Sequence, residues 1–438
     1  MTPSSPRHRD MDAVVAEIAH RVQAWSGELP PSTGPGLAEG HCGTALLFSE
    51  LSRDRPVLRH TVHTLLAAEA KAGFRTGGHG LLSGLTGLGF VSKHAARTPT
   101  EYATLRHQVD ASVRAALDSV LKAEHLRIAD GSAPAQRSHF DAVFGAAGLG
   151  RYFLAEPGRD PRAVRDILGY LVALTDPVHT PSGLLPGWLA PPWTGQGHPD
   201  KHEDRLLDLG LAHGVAGPLA LMALCWTQDI RVPGQDAAMR RCARWLLSWH
   251  HEDGQGGGWW PRLVSARQEQ AEPRPRVGAP VAAWCYGTPG VARALQLAGD
   301  ALGEEEWVEY ARNSMAALMR SPAALAGVEE PGLCHGLAGI MQITGRMATD
   351  LDDPWLSARA DELADRLCAR FDPKTAFGYP TRALAPQRPD PLDAPTFLEG
   401  AAGIALALHD RTRTPDSQSA AAHGESASLP WDAALLLS

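Results

Sequence analysis

The sequence has no long apolar run, no excess of basic residues and few cysteines, and each shortage removes a class of function. No stretch of its 438 residues approaches the roughly 18 uninterrupted apolar positions of a membrane helix. Lys+Arg number 41 against 49 Asp+Glu, a formal net charge of −8, so there is no basic stripe for nucleic-acid phosphates. The six cysteines (Cys42, Cys225, Cys242, Cys285, Cys334, Cys368) are too sparse for a disulfide framework and read as buried thiols, metal ligands or nucleophiles. The N-terminus, MTPSSPRHRDMDAVVAEIAHRV, lacks the apolar core of a secretory signal and reads as a polar start over 1–11 followed by a helix. What is present is a 44% hydrophobic fraction, enough for a sizeable core, and 44 glycines. The expectation is a soluble, cytoplasmic protein.

The glycines are not scattered. Gly-x-x-Gly followed by an apolar run recurs seven times, beginning at Gly40, Gly84, Gly145, Gly214, Gly287, Gly336 and Gly400, at intervals of 44, 61, 69, 73, 49 and 64 residues. Each interval holds a helical hairpin. The runs after the glycines are apolar nearly all round, as buried helices are, whereas segments such as 61–72, 102–121, 236–248, 304–319 and 358–370 are amphipathic. Buried inner helices alternating with amphipathic outer ones predict an all-α protein, an α/α toroid of about seven inner and seven outer helices over residues 1–410. On this reading the glycines let several backbones crowd at one end of the ring. Residues 177–204 read as a long loop, and 251–280 has room for a strand pair or a small β-rich insertion. Residues 411–429 read as a mobile loop, and 430–438 (WDAALLLS at its end) as a segment that docks back on the toroid.

Polar residues keep a register to these glycines. Cys285 lies two before Gly287, Cys334 and His335 two and one before Gly336, His213 one before Gly214, and Asp141 four before Gly145. If the inner helices share a direction, these side chains meet at one mouth, near several helix N-termini whose partial positive charge favours thiolates. Two thiolates and an imidazole suit zinc and leave a fourth position open; two buried core thiols are the alternative. His213 is a general acid/base candidate, or a helix-entry histidine bonded to backbone. Asp141 either orients it or caps the following helix. Trp284 and Tyr286 flank Cys285 and either line the pocket or pack. Cys42 sits between its glycines, in another register, and reads as core, with a fourth-ligand role as its alternative.

At LAHGVAGPLAL, AWCYGTPGVARAL, LCHGLAGI and FLEGAAGIALAL, supported by GWWPR and the WDAALLLS ending, the chain resembles the lanthionine synthetase C-like family, whose lantibiotic members are stand-alone peptide cyclases. The resemblance runs from about Ala38 to the C-terminus. It implies an α/α toroid with a catalytic zinc held by Cys285, Cys334 and His335, an acid/base His213, an assisting Asp141, and Trp284 and Tyr286 at the pocket. Lantibiotic cyclases often carry an arginine four residues before the cysteine of WCYG; here that place is Val281, which leaves Arg274 or Arg276 as the substitutes. Nisin-type relatives also insert a small β-rich domain.

The implied reaction is addition of a peptide cysteine thiol to dehydroalanine or dehydrobutyrine, giving lanthionine or methyllanthionine. The implied partner is a dehydrated, leader-bearing precursor peptide supplied by a separate dehydratase. An export transporter would complete such a complex and offers peripheral attachment to the membrane. Two rivals use related parts: a prenyltransferase-like toroid enzyme that alkylates a peptide thiol, and a zinc-bearing adaptor that binds thiol peptides or glutathione without chemistry.

Overall fold

The structure, a computed structural model, describes residues 6–25, 36–76, 78–131, 133–156, 158–181, 183–192, 204–252, 254, 258–326, 328–381, 393–413 and 429–438. The described chain is all-α apart from three short two-stranded ladders. Seven helices start at the glycine motifs: His41–Leu51, Leu85–Ala95, Ala146–Leu154, Ala216–Thr227, Thr288–Leu302, Leu337–Asp350 and Ala401–Thr412. They are buried along most or all of their length, which is why their sequences show no polar face. Seven others carry the amphipathic stripe: Pro6–Ala24, Arg59–Thr76, Ala103–Asp130, Pro161–Leu174, Gln235–Ser248, Glu305–Arg320 and Pro354–Ala369. The polar N-terminus thus contributes an outer helix that begins at Pro6, inside the stretch 1–11 read from sequence as a polar start. No described helix is long and apolar enough to cross a membrane.

The chain divides into two compact units. In the first (1–110, 155–158, 326–433) four inner helices neighbour one another in the order Leu85–Ala95, His41–Leu51, Ala401–Thr412, Leu337–Asp350, and the N-terminal helix packs outside Ala401–Thr412. In the second (111–154, 159–325, 434–438) three follow in the order Ala146–Leu154, Ala216–Thr227, Thr288–Leu302.

Five of the seven inner helices are entered through the same tight turn, and this turn explains the glycines. The residue after the first glycine donates its N–H back seven residues: Leu85 to Gly78 O (2.8 Å), Val215 to Asp208 O (3.0 Å), Thr288 to Val281 O (3.0 Å), Leu337 to Glu330 O (3.0 Å) and Ala401 to Ala394 O (2.9 Å). The turn lies so close that a Cβ on the second glycine would strike the carbonyl six residues back; at Gly339 and Gly403 that carbonyl belongs to Leu333 and Phe397. Gly287 has the further need of a left-handed φ of 85°, where a side chain is strained. The glycines therefore make room first for their own preceding turn. Crowding between neighbours, the role expected from sequence, comes second: Phe397 presses on Gly43 and Leu333 on Gly403 in the first unit, and Leu211 on Gly290 in the second.

The turns are laced together by backbone hydrogen bonds two or three residues before each first glycine. In the first unit Cys334 N–H donates to Leu398 O (3.0 Å), Leu398 to Ala38 O (3.3 Å) and Ala38 to Leu82 O (2.8 Å); in the second Ala142 donates to Ala212 O (2.9 Å) and Ala212 to Cys285 O (3.3 Å). Within each unit, then, the glycine entries gather at one end of the inner helices.

The stretch 251–280 contains a two-residue ladder (His251–Glu252 with Gly258–Trp259), the strand Leu263–Ser265, and one turn of helix, Ala266–Glu269. Leu263–Ser265 pairs with Leu206–Asp208, Leu263 opposite Asp208. Among the described residues there is no separate β-rich domain in that stretch. Within 177–204, Val178–Thr180 and Gly183–Leu185 form a hairpin, and residues 193–203 lie outside the described residues, as do 414–428 of the expected mobile loop. At the C-terminus Asp432 accepts from Gln342 (2.8 Å) and Arg346 (3.0 Å) in the first unit. In the second, Leu435 O accepts from the Trp284 indole (3.0 Å), Leu437 O from Arg293 (3.0 Å) and Ser438 O from Arg151 (2.8 Å).

Candidate active site

The residue immediately before the first glycine keeps one position in the repeat. In the second unit these are Phe144, His213 and Tyr286, and their rings stand in a row: Phe144 to His213 at 6.1 Å between centroids, His213 to Tyr286 at 6.4 Å. In the first unit the same place holds His335 and Glu399, with His335 Nε2 3.2 Å from Glu399 Oε1.

His213 is fixed through one ring nitrogen. Its Nδ1 lies 2.7 Å from Asp141 Oδ2, and because a carboxylate only accepts, Nδ1 carries the hydrogen. Asp141 is almost wholly buried, and its other oxygen accepts the N–H groups of Phe144 (2.7 Å) and Gly145 (2.9 Å) at the start of the Ala146–Leu154 turn. It therefore does both things the sequence left open: it caps and it holds His213. Burial by itself would lower the pKa of His213. The hydrogen bond and charge of Asp141, with the charges of Asp208 and Cys285 beyond, outweigh burial and carry it above its ordinary value.

The sulfurs of Cys285 and Cys334 and a ring nitrogen of His335 all lie within 4.8 Å of one another, the one group of three or more potential ligands of this kind among the described residues. Cys285 is buried and Cys334 partly exposed. The donor set fits zinc: two sulfurs and one nitrogen, with room in the coordination sphere for one more ligand. His335 Nε2 also lies 3.2 Å from Glu399 Oε1, so a carboxylate stands beside the imidazole of the group. Cys42 is fully buried with its thiol pushed well above the ordinary range by burial, and it is not in the group. Cys225 is likewise a core thiol, pushed up to about 12 by burial.

Trp284 and the substitute arginines depart from the sequence reading; Tyr286 does not. Trp284 is wholly buried, and its indole N–H is given to Leu435 O, so it packs and anchors the C-terminus rather than lining a pocket. Tyr286 is half-buried and donates its hydroxyl to Asp208 Oδ2 (3.2 Å). Arg274 and Arg276, the substitutes for the arginine missing at Val281, are engaged elsewhere. Arg274 holds Glu269 (3.0 Å) over the Trp249 ring, and Arg276 holds Glu252 O (3.1 Å). The guanidinium that meets the row of rings is Arg262, 4.5 Å from the Tyr286 centroid.

A family model described as lanthionine synthetase C-like protein matches residues 31–421. The chain belongs to that family. Among solved structures, this lanthionine synthetase C-like protein is similar to one titled nisin cyclase: 18% identity, 98% of this chain and 97% of that one covered, TM-score 0.73. At that identity the likeness speaks for the fold, and the fold is the all-α toroid that the seven-fold repeat predicts. A D-mannose isomerase matches at 12% identity over 52% of this chain and 59% of that one, with a TM-score of 0.37, too low to bear on the fold. No curated protein matches the sequence.

Asp208, Glu399 and Arg262 were not read from the sequence. Asp208 is fully buried, and burial raises its carboxyl to about 6 against the lowering contacts of the Gly210 N–H, Arg137, His213 and Tyr286. Glu399 was within reach: it stands one before Gly400, in the register of His213 and His335. Asp208, the carbonyl seven before Val215, becomes visible only once the turn's backbone bond is known.

Proposed function

We propose that the protein is a zinc-dependent peptide cyclase that adds cysteine thiols to dehydroalanine or dehydrobutyrine in a dehydrated, leader-bearing precursor peptide, closing lanthionine and methyllanthionine rings. The observation that carries the reading is His213 held by Asp141 at one glycine entry, while the neighbouring entry presents Cys285 one position earlier in the same turn and is bonded to it through Ala212 N–H and Cys285 O. A core histidine would need no such carboxylate.

Cys285, Cys334 and His335 would hold the ion, formally neutral with its two protein thiolates before substrate enters, and when bound it would let a substrate thiol lose its proton near neutral pH. The chain's own residues manage the proton. Attack of the sulfur on the alkene β-carbon forms the C–S bond and moves the π electrons onto the adjacent carbonyl as an enolate. His213, with Nδ1 committed to Asp141, has Nε2 as the atom that delivers a proton to the α-carbon. The carbonyl reforms, and the imidazole regains its proton from that released by the thiol. Raising the pKa of His213 keeps more of it in the donor form at neutral pH. Asp141, buried and capped by two backbone N–H groups, cannot swing away from the imidazole.

A separate dehydratase supplies the alkene, and a transporter would export the product, which places this step in the cytoplasm. The adaptor reading asks nothing of His213 and so leaves its pairing without a use. Incubation with a dehydrated precursor decides between them. Thiol alkylation followed by mass spectrometry should show loss of free thiols without mass change. Peptide binding with all thiols still alkylatable would overturn the cyclase.

A further inference from the structure

The proposed addition builds negative charge on a carbonyl oxygen, and the second unit surrounds that place with carboxylates already committed: Asp141 to His213 and two backbone N–H groups, Asp208 to Gly210 and Tyr286. Two cations stand near. Arg137 is buried and spent, its guanidinium on Pro191 O, Leu206 O and, at 3.8 Å, Asp208. Arg262 differs on each count. It is exposed, and its guanidinium meets the face of Tyr286; no carboxylate among the described residues pairs with it.

Arg262 is nevertheless not loose. Leu209 N–H donates to its carbonyl (3.2 Å), and the next residue, Leu263, is paired with Asp208 across the two-stranded ladder. The segment that runs on to His213 therefore fixes the backbone of Arg262. The Tyr286 ring also packs on Gly210, where a Cβ would strike it. Tyr286 is held by its packing on Gly210 and by the hydroxyl bond to Asp208, with its centroid 6.4 Å from that of His213. An aromatic face orients an arginine without using up its N–H donors.

We infer that Arg262 is the oxyanion-holding residue of the site, aimed by Tyr286 so that its N–H donors receive the acceptor's carbonyl oxygen as the enolate forms while His213 protonates the neighbouring carbon. This rests on the cyclase reading. A carboxylate of the peptide could be bound by the same donors, and kinetics separates the two: an oxyanion contact acts in the transition state, a carboxylate contact in the ground state as well.

The test compares wild type, Arg262→Gln and Arg262→Lys on a dehydrated precursor, with zinc content and circular dichroism measured on each. Expected for Arg262→Gln is a fall in kcat of about 10- to 100-fold with KM little changed, below the 10²–10³ typical of a buried oxyanion donor because Arg262 is exposed. Arg262→Lys should recover part of the loss, since charge returns without the planar fork. Zinc content should not move. Unchanged kcat in Arg262→Gln overturns the role, and so does a rise in KM alone, which would make it a ground-state carboxylate contact. Wild-type protein that closes no ring overturns the cyclase reading and this inference with it.

Discussion

Two glycine entries, LAHGVAG and LCHGLAG, place a histidine at the same position of the same turn, and the two histidines end in different chemistry. His213 meets the buried, two-fold capped Asp141 through Nδ1. His335 meets the half-exposed Glu399 through Nε2 and stands in the Cys285–Cys334 group. The repeat fixes where the ring sits; the neighbouring turn decides which nitrogen is held and how firmly. One scaffold so sets an imidazole on a buried carboxylate at one entry and an imidazole beside two sulfurs at another.

The sharpest break in that comparison is to remove a ligand from one entry. Cys334→Ala should lose stoichiometric zinc and essentially all ring closure above the unaided thiol addition. Its helical circular dichroism should remain, because the Cys334 N–H bond to Leu398 belongs to the backbone. Metal analysis that finds zinc retained in both Cys334→Ala and Cys285→Ala would end the assignment. His213→Asn works on the other entry. Positioned proton transfer is worth about 10²–10⁴-fold, so closure should slow by that order with zinc content unchanged. Zinc lost in His213→Asn would instead make the two histidines alike, both ligands.

A milder substitution probes the carboxylate beside His335. Glu399→Gln keeps the side-chain shape but removes the charge facing His335 Nε2, and outer partners of this kind typically contribute about 10–100-fold in metal affinity. Competition against a chromogenic chelator should show a loss of that size, and equal affinity would leave Glu399 with no part in holding the ring.

Much of this was legible because the repeat is written in glycine. The second glycines strike their own turn's carbonyls if given a Cβ, so Gly-x-x-Gly marks the helix entries, and register to it found His213, Cys285, Cys334 and His335. The same register misleads at Trp284, three before Gly287, where the place is occupied elsewhere by buried Leu81, Leu211, Leu333 and Phe397. Trp284 was read beside Cys285 as pocket when its position is core. Arg262 and Asp208 escape for another reason. They meet through a three-residue antiparallel ladder joining segments more than 50 positions apart, and no spacing rule in a helical repeat points to it.

Asp141→Asn is the finest cut, since asparagine also caps helices and can still accept from Nδ1, so that only the charge is lost. In the wild type the carboxylate, with the charges of Asp208 and Cys285, outweighs burial and lifts the pKa of His213; without the Asp141 charge its largest support is gone and the pKa falls. The donor form then disappears at lower pH. The alkaline limb of kcat assigned to His213 should move down the pH axis, with rates near wild type on its acid side and an increasing shortfall, of the order of tenfold, above it. Thermal stability supplies a second reading of the same charge. A histidine whose folded pKa is raised stabilises the fold fully below its unfolded value and loses that contribution as pH rises through the folded value. The Tm gap between wild type and Asp141→Asn should therefore be widest in acid and close towards alkaline pH. An alkaline limb that stays in place, with a Tm gap independent of pH, would mean that Asp141 serves His213 by position alone and that its charge contributes nothing to the proton the imidazole delivers.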